Sequence, residues 1–332
     1  MFANALLAII PSLQVWVCGS KQAIFIGALN MALAKRVFLF LLLNILVMLM
    51  ISLVLNLFNV RPFLTQYGID YSSLMIFCLI WGMGGAFISL ALSRIMAKWA
   101  MGVVLIDPDT KDPSQRELID MVRSLTRDAG VPMPQVGIYH SNEVNAFATG
   151  PTQNRALVAV SSGLLQRMQE QEIKAILGHE ISHIANGDMI TMTLLQGVVN
   201  AFVMFLSRVL AYIFSGLGRS RENNSGGGYL SYILFVYLFD VVFMLLGSLV
   251  IAAYSRRREF RADTGGARLA GKSNMIAALS SLRVLHEIRD PKTENPAFSA
   301  LKISTPTKKG LLHLFASHPP IEERIERLKN TI

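Results

Sequence analysis

Two of the six histidines in this 332-residue chain stand four apart, in the run His179-Glu180-Ile181-Ser182-His183. Apolar residues recur at helical spacing across residues 170–186, with Ile173, Ile176, Leu177 and Ile184 on one face. The run is therefore expected on a helix, where side chains four apart share a face one turn apart. Two imidazoles so placed can hold one tetrahedral Zn²⁺. Glu180 could then reach a water on that ion as a general base. The plainer alternative is a pair of surface histidines on an amphipathic helix. This helix is apolar, however, and heads toward a long uncharged stretch, where a His-Glu-His cluster without a metal would be poorly satisfied. The run beginning His286-Glu287 lacks a second histidine and serves as an internal control; His140, His286 and His313 are read as inert.

A catalytic zinc needs a third protein ligand and one open position. No third histidine follows at a useful spacing. The best candidate is Glu259, in Arg258-Glu259-Phe260-Arg261-Ala262-Asp263. Glu259 and Asp263 lie four apart, so one carboxylate can bind metal while the other accepts the N–H of a ligand histidine. A solvated charged patch after a membrane helix would account for the same run. Asp188, five residues after His183, either supports a ligand or ends the helix; the sequence leaves both open.

The elements that carry these residues are unusual in composition. Hydrophobic residues make up 52% of the chain and charged ones only 16%, which excludes disorder and argues against a purely soluble protein. Residues 37–60 carry no charge and residues 71–93 carry none either. As helices each rises about 35 Å, enough to cross a hydrocarbon core of about 30 Å, and the short link makes them a hairpin. A second hairpin is expected within 191–255, its two segments carrying Arg208 and Asp240. Ions of opposite sign at membrane depth are expected to pair. Net charge is +9. Lys35, Arg36, Arg94, Lys98 and Arg256 to Arg258 gather at ends that share one side, which the positive-inside tendency makes cytoplasmic.

Five regions follow: an N-terminal extension (1–34), a membrane hairpin (35–95), a soluble half with the two histidines (96–190), a second membrane hairpin (191–255) and a soluble half with Glu259 (256–332). Residues 1–30 lack the basic start of a signal peptide; the expectation is that Met31 is the initiator or that 1–30 is a dispensable extension. Cys18 and Cys78 cannot build a disulfide framework. In the first soluble half, Asp112-Pro113 opens a helix that Gly130 ends. Strands are expected at 135–139 and 156–160.

Several runs together resemble the HtpX family of bacterial membrane zinc metalloproteases, relatives of the type 1 CAAX prenyl endopeptidases. They are Asn145-Ala146-Phe147-Ala148-Thr149-Gly150, the stretch from His179 to Asp188, the stretch from Glu259 to Asp263, and Ser317-His318-Pro319-Pro320 with Arg324. The resemblance covers about residues 35–330. It implies an α+β, mainly helical fold: a zincin-like (gluzincin) domain with four transmembrane helices in two hairpins. It also implies one Zn²⁺ on His179, His183 and Glu259, Glu180 as base, and Asp263 orienting a ligand histidine. Asn145 and Phe147 would lie on an edge strand that grips an extended peptide; the plainer reading makes Phe147 core and Asn145 a turn former. His318 and Arg324 would touch substrate or the oxyanion; otherwise His318 caps a helix and Arg324 makes a surface pair. Arg261 departs from the histidine often found there in the family; it cannot bind zinc, so the ligand set is untouched.

The expected protein is a multi-pass metalloendopeptidase of the cytoplasmic (inner) membrane, with its site on the cytoplasmic side. Its substrates would be misfolded or damaged membrane proteins, unfolded polypeptide and its own chain. The rivals are a processing protease for one substrate and a transporter or scaffold with a structural zinc. Nucleic-acid binding is not expected, because the positive charge lies at membrane borders. The sequence does not give the oligomeric state.

Overall fold

A computed structural model describes residues 64–65, 68–217, 227–285 and 314–330, all within one compact unit, Pro62–Ile332. The expected extension 1–34, the first span 37–60, Cys18, His286 and His313 lie outside the described residues.

Local chemistry sets the element ends. Asp70 starts α1 (Tyr71–Met101), its Oδ1 accepting the N–H groups of Ser72 and Ser73 at 3.0 and 3.2 Å. Asp112 starts α2 (Pro113–Ala129) in the same way through Ser114 and Gln115. Gly130, at φ 67°, ends α2 in the left-handed region that glycine enters without strain. Before α1, β1 (Leu64–Thr65) and β2 (Gly68–Ile69) form a two-stranded turn within the expected link.

A second, four-stranded sheet has the order β3-β4-β6-β5. Its strands are β3 (Val104–Leu105), β4 (Gln135–Tyr139), β5 (Ala146–Thr149) and β6 (Leu157–Ser161). β4 and β6 run parallel, and both edge strands run antiparallel to their neighbours. β6 is buried along its whole length, as a central strand covered on both faces must be. Short α3 (Ser162–Arg167) then leads into α4 (Glu170–Ala185), whose start is tied by Glu172 accepting the N–H of Gln169 at 3.0 Å. Leu118, Val122 and Leu125 of α2 share one core with Val158 and Val160 of β6 and with Ile176, Leu177 and Ile181 of α4.

Among the described residues, three helices are long and apolar enough to cross a membrane: α1, α5 (Asp188–Leu217) and α6 (Gly227–Ala270). They meet through small residues. A Cβ on Gly82 would sit 2.5 Å from the backbone nitrogen of Ala201, and one on Gly197 would overlap Met83. Such close backbone approach is the usual basis of helix packing in lipid. Arg208 and Asp240 form the expected pair, at 3.8 Å.

The chain does not break where the second hairpin was expected to hand over to the soluble half. α6 runs through that boundary as one helix of 44 residues, about 66 Å long and roughly twice a hydrocarbon core. The same rod therefore carries apolar Leu230 to Ala253 and, further on, Glu259 and Asp263. α7 (Lys272–Leu285) and α8 (Ile321–Asn330) close over its end.

α6 lies against α4 with almost no side chain between them. A Cβ on Gly266 would come within 2.9 Å of the backbone nitrogen of His179, and one on Gly178 would meet Gly266 at 3.4 Å. Gly266→Val is expected to force the two helices apart. It should destabilise the protein by about 1–3 kcal/mol and weaken divalent-metal binding at least tenfold, read by thermal unfolding and chelator competition.

Candidate metal centre

The crossing of α4 and α6 determines which side chains meet. His179 and His183 project from one face of α4, and their Nε2 atoms face each other at 3.2 Å. Glu259 enters from α6, with Oε1 3.4 Å from His183 Nε2 and Oε2 3.5 Å from His179 Nε2. Donors held 2.0–2.1 Å from a tetrahedral ion stand about 3.3 Å apart. The three separations fit that edge, and the donor set of two imidazoles and one carboxylate suits zinc chemistry. Among the described residues, these three form the one group of histidine, cysteine and acidic side chains close enough to share an ion.

Each histidine has a carboxylate beside its outer nitrogen. Asp263 Oδ1 lies 3.0 Å from His179 Nδ1, and Asp188 Oδ2 lies 2.7 Å from His183 Nδ1. A ring that gives its Nδ1–H to a carboxylate presents the Nε2 lone pair to a metal. Asp188 starts α5, so it both supports a ligand and opens the next helix. All of these side chains are buried.

Charge explains why the cluster needs a cation. Burial opposes a proton on His179, but Asp263 and Glu259 beside it outweigh this and push its pKa up to about 9. Burial likewise opposes charge on His183, and Asp188 and Glu259 again raise its pKa. Carboxylate charge is thus in surplus around the ring nitrogens, and either protons or a metal ion can balance it.

Glu180, on the same turn as His179, is buried. His318 arrives just before α8 and places Nδ1 2.9 Å from Glu259 Oε2. Arg258, which the sequence marks only as a membrane-border charge, donates from Nη2 to Glu259 Oε1 at 3.2 Å. Its position next to a ligand was the only signal available.

One sequence expectation changes and another is decided. Arg324 was expected to reach substrate or oxyanion, or else to make a surface pair. Its guanidinium is instead fully buried and grips Asp263 with two bonds, Nε to Oδ2 at 2.8 Å and Nη2 to Oδ1 at 2.6 Å. An arginine spent on this fork anchors the carboxylate that holds His179. Of the two readings of Phe147, substrate strand or core, its side chain takes the second. It packs into the small core of Ala97, Tyr139 and Ala159, while the Asn145 amide donates to Tyr139 Oη at 2.9 Å.

What β5 does offer is its main chain. It is an edge of the sheet and packs against α4. Ser161 donates its N–H to the Asn145 carbonyl at 2.9 Å. Antiparallel ladders alternate, so the N–H and C=O groups of Ala146 and Ala148 point away from β6, toward an edge that pairs with no other strand among the described residues.

Membrane-crossing helices joined to a buried His-His-Glu cluster beside a second glutamate define a class, the membrane metallopeptidases. Residues 112–332 match the model of peptidase family M48, and the chain belongs to that family. It is 46% identical over 298 residues to a protease HtpX homolog of Methylacidiphilum infernorum, a match covering 89% of this chain and 98% of the relative. It is 47% identical over 305 residues to the protease HtpX homolog of Bacillus subtilis, covering 90% and 99%. The crystal structure of S. mikatae Ste24p shares the fold. Its TM-score is 0.60 at 16% identity, over 91% of this chain and 67% of that one.

Two outcomes are expected from this geometry. Because the pKa of His179 is raised to about 9 and that of His183 is raised as well, an incoming ion must displace protons. Metal affinity should therefore rise with pH between about 6 and 9, by up to tenfold per unit for each proton released, as measured by chelator competition. Arg324→Met should leave Asp263 buried without its partner and destabilise the fold by about 3–5 kcal/mol, seen as a lower unfolding midpoint.

Proposed function

We propose that this chain is a zinc-dependent metalloendopeptidase (EC 3.4.24 class) of the cytoplasmic membrane. It crosses the bilayer four times and binds one Zn²⁺ per chain through His179, His183 and Glu259. It cuts misfolded or damaged membrane proteins and unfolded polypeptide at the cytoplasmic face, its own chain included. The reading is carried by one juxtaposition. A buried glutamate, Glu180, adjoins a three-donor metal cluster whose second histidine stands five residues before a membrane helix begins. The basic residues Arg94, Lys98 and Arg256 to Arg258 at the ends of the apolar runs support the cytoplasmic side.

The roles follow from position. A divalent ion at this site supplies a Lewis acid that makes a water nucleophilic near neutral pH and polarises a carbonyl. The free edge of β5 adds the substrate as a further strand, through the main-chain groups of Ala146 and Ala148. That lays the peptide across the face of α4 that holds His179, Glu180 and His183. Glu180 takes the proton of the attacking water and returns it to the leaving amine. His318, with Nδ1 turned to Glu259, has Nε2 available to donate to the developing oxyanion. Asp263 and Arg324 hold the frame still.

Protein purified in detergent under chelator and then given Zn²⁺ should cleave casein and itself. Glu180→Gln should bind the metal as tightly as wild type and lose cleavage by about 10²–10⁴-fold. If wild type binds zinc yet leaves casein, its own chain and a panel of unfolded membrane proteins intact, the protease reading falls.

A further inference from the structure

The two histidines are supported by different kinds of group. Behind His179 stand Asp263 and the fully buried Arg324. Behind His183 stands Asp188, itself 1% exposed, with Oδ2 2.7 Å from Nδ1. The other oxygen of Asp188, Oδ1, faces Arg261 Nη2 at 3.6 Å. Arg261 is half-exposed, and Tyr254 steers it, accepting from Nη2 at 3.3 Å with the guanidinium 5.9 Å from the ring centre. Gly187, at φ 64°, lets the chain turn between α4 and α5 so that Asp188 faces back toward His183.

We propose that Asp188 and Arg261 are positioning residues for His183. Asp188 takes the Nδ1–H and so leaves the Nε2 lone pair on the metal face. Arg261 holds the other oxygen of Asp188 and keeps that aim. One helix then arranges the whole site: α6 supplies Glu259 directly, steadies His179 through Asp263, and steadies His183 through Arg261 and Asp188. The buried support of His179 is insulated from solvent, whereas the support of His183 ends on a solvent-facing arginine. Metal retention in this chain is therefore sensitive to ionic strength through Arg261.

The proposal concerns metal binding and rests on the metalloprotease reading only for its effect on cleavage. The test compares full-length wild type, Asp188→Asn, Arg261→Gln and Arg261→Lys in detergent. Zn²⁺ affinity is measured by chelator competition at low and high salt, and unfolding midpoints are measured under chelator. Asp188→Asn keeps size and hydrogen-bonding capacity at the start of α5 and removes the charge. It is expected to weaken Zn²⁺ binding about 10–100-fold with the chelated midpoint unchanged. Arg261→Gln should weaken binding severalfold at low salt, the deficit shrinking at high salt, and Arg261→Lys should restore it. Being half-exposed, position 261 tolerates these changes, so the test does not depend on Asp188→Asn folding.

Wild-type affinity in Asp188→Asn overturns the proposal. So does a loss of affinity matched by an equal fall in the chelated midpoint, because that marks a structural role in α5. An Arg261→Gln variant that binds like wild type at every salt concentration removes Arg261 from the arrangement. Failure of the protease reading is separate: wild type would bind zinc and cut nothing, while the affinity comparison would still stand.

Discussion

The site depends on the backbone contact between α4 and α6. Glu259 and the histidines come from segments about eighty residues apart, and a carboxylate reaches two imidazole Nε2 atoms only if their helices nearly touch. Gly178, directly before His179, and Gly266, three residues after Asp263, remove the side chains that would keep the axes apart. Ser182, beside Gly265, turns its hydroxyl onto the Gly178 carbonyl at 2.7 Å, so the polar atom at the crossing is satisfied. The remaining packing, from the sheet on one side of α4 to α7 and α8 on the other, keeps this crossing closed.

Electrostatics then converts a tight place into a metal site. Glu259, Asp263 and Asp188 are all buried, and burying carboxylates is costly unless cations face them. Arg324 and Arg261 answer Asp263 and Asp188, and Arg258 and His318 approach Glu259. What is left over bears on the inner face of the two imidazoles, where it raises their proton affinity. A divalent ion at that position resolves the same imbalance without protonating the ligands.

The membrane is built into this arrangement. α5 begins five residues beyond His183, and α6 runs as one unbroken helix from its apolar stretch through Glu259. Both strands of the ligand set therefore hang from helices long enough to cross a bilayer. A tilt or rotation of α6 would be felt at Glu259, because that rod is continuous and the crossing is close-packed.

The sequence by itself determined whatever depends on neighbours along the chain. The four-residue spacing of His179 and His183 places them on one helical face wherever that helix ends up. The caps at Asp112 and Gly130, the apolar runs, and the four-residue spacing of Glu259 and Asp263 are legible for the same reason: they follow from the period of a helix and the reach of a side chain. Only the tertiary structure decided the partners across long separations. Arg324 lies 61 residues from Asp263, and nothing in the residues between shows that it folds inward rather than toward solvent. The burial of Phe147, the approach of Arg258 to Glu259, and the two functions of Asp188 were undecidable for a like reason. A single side chain fits several local roles, and the packing of distant helices selects one of them.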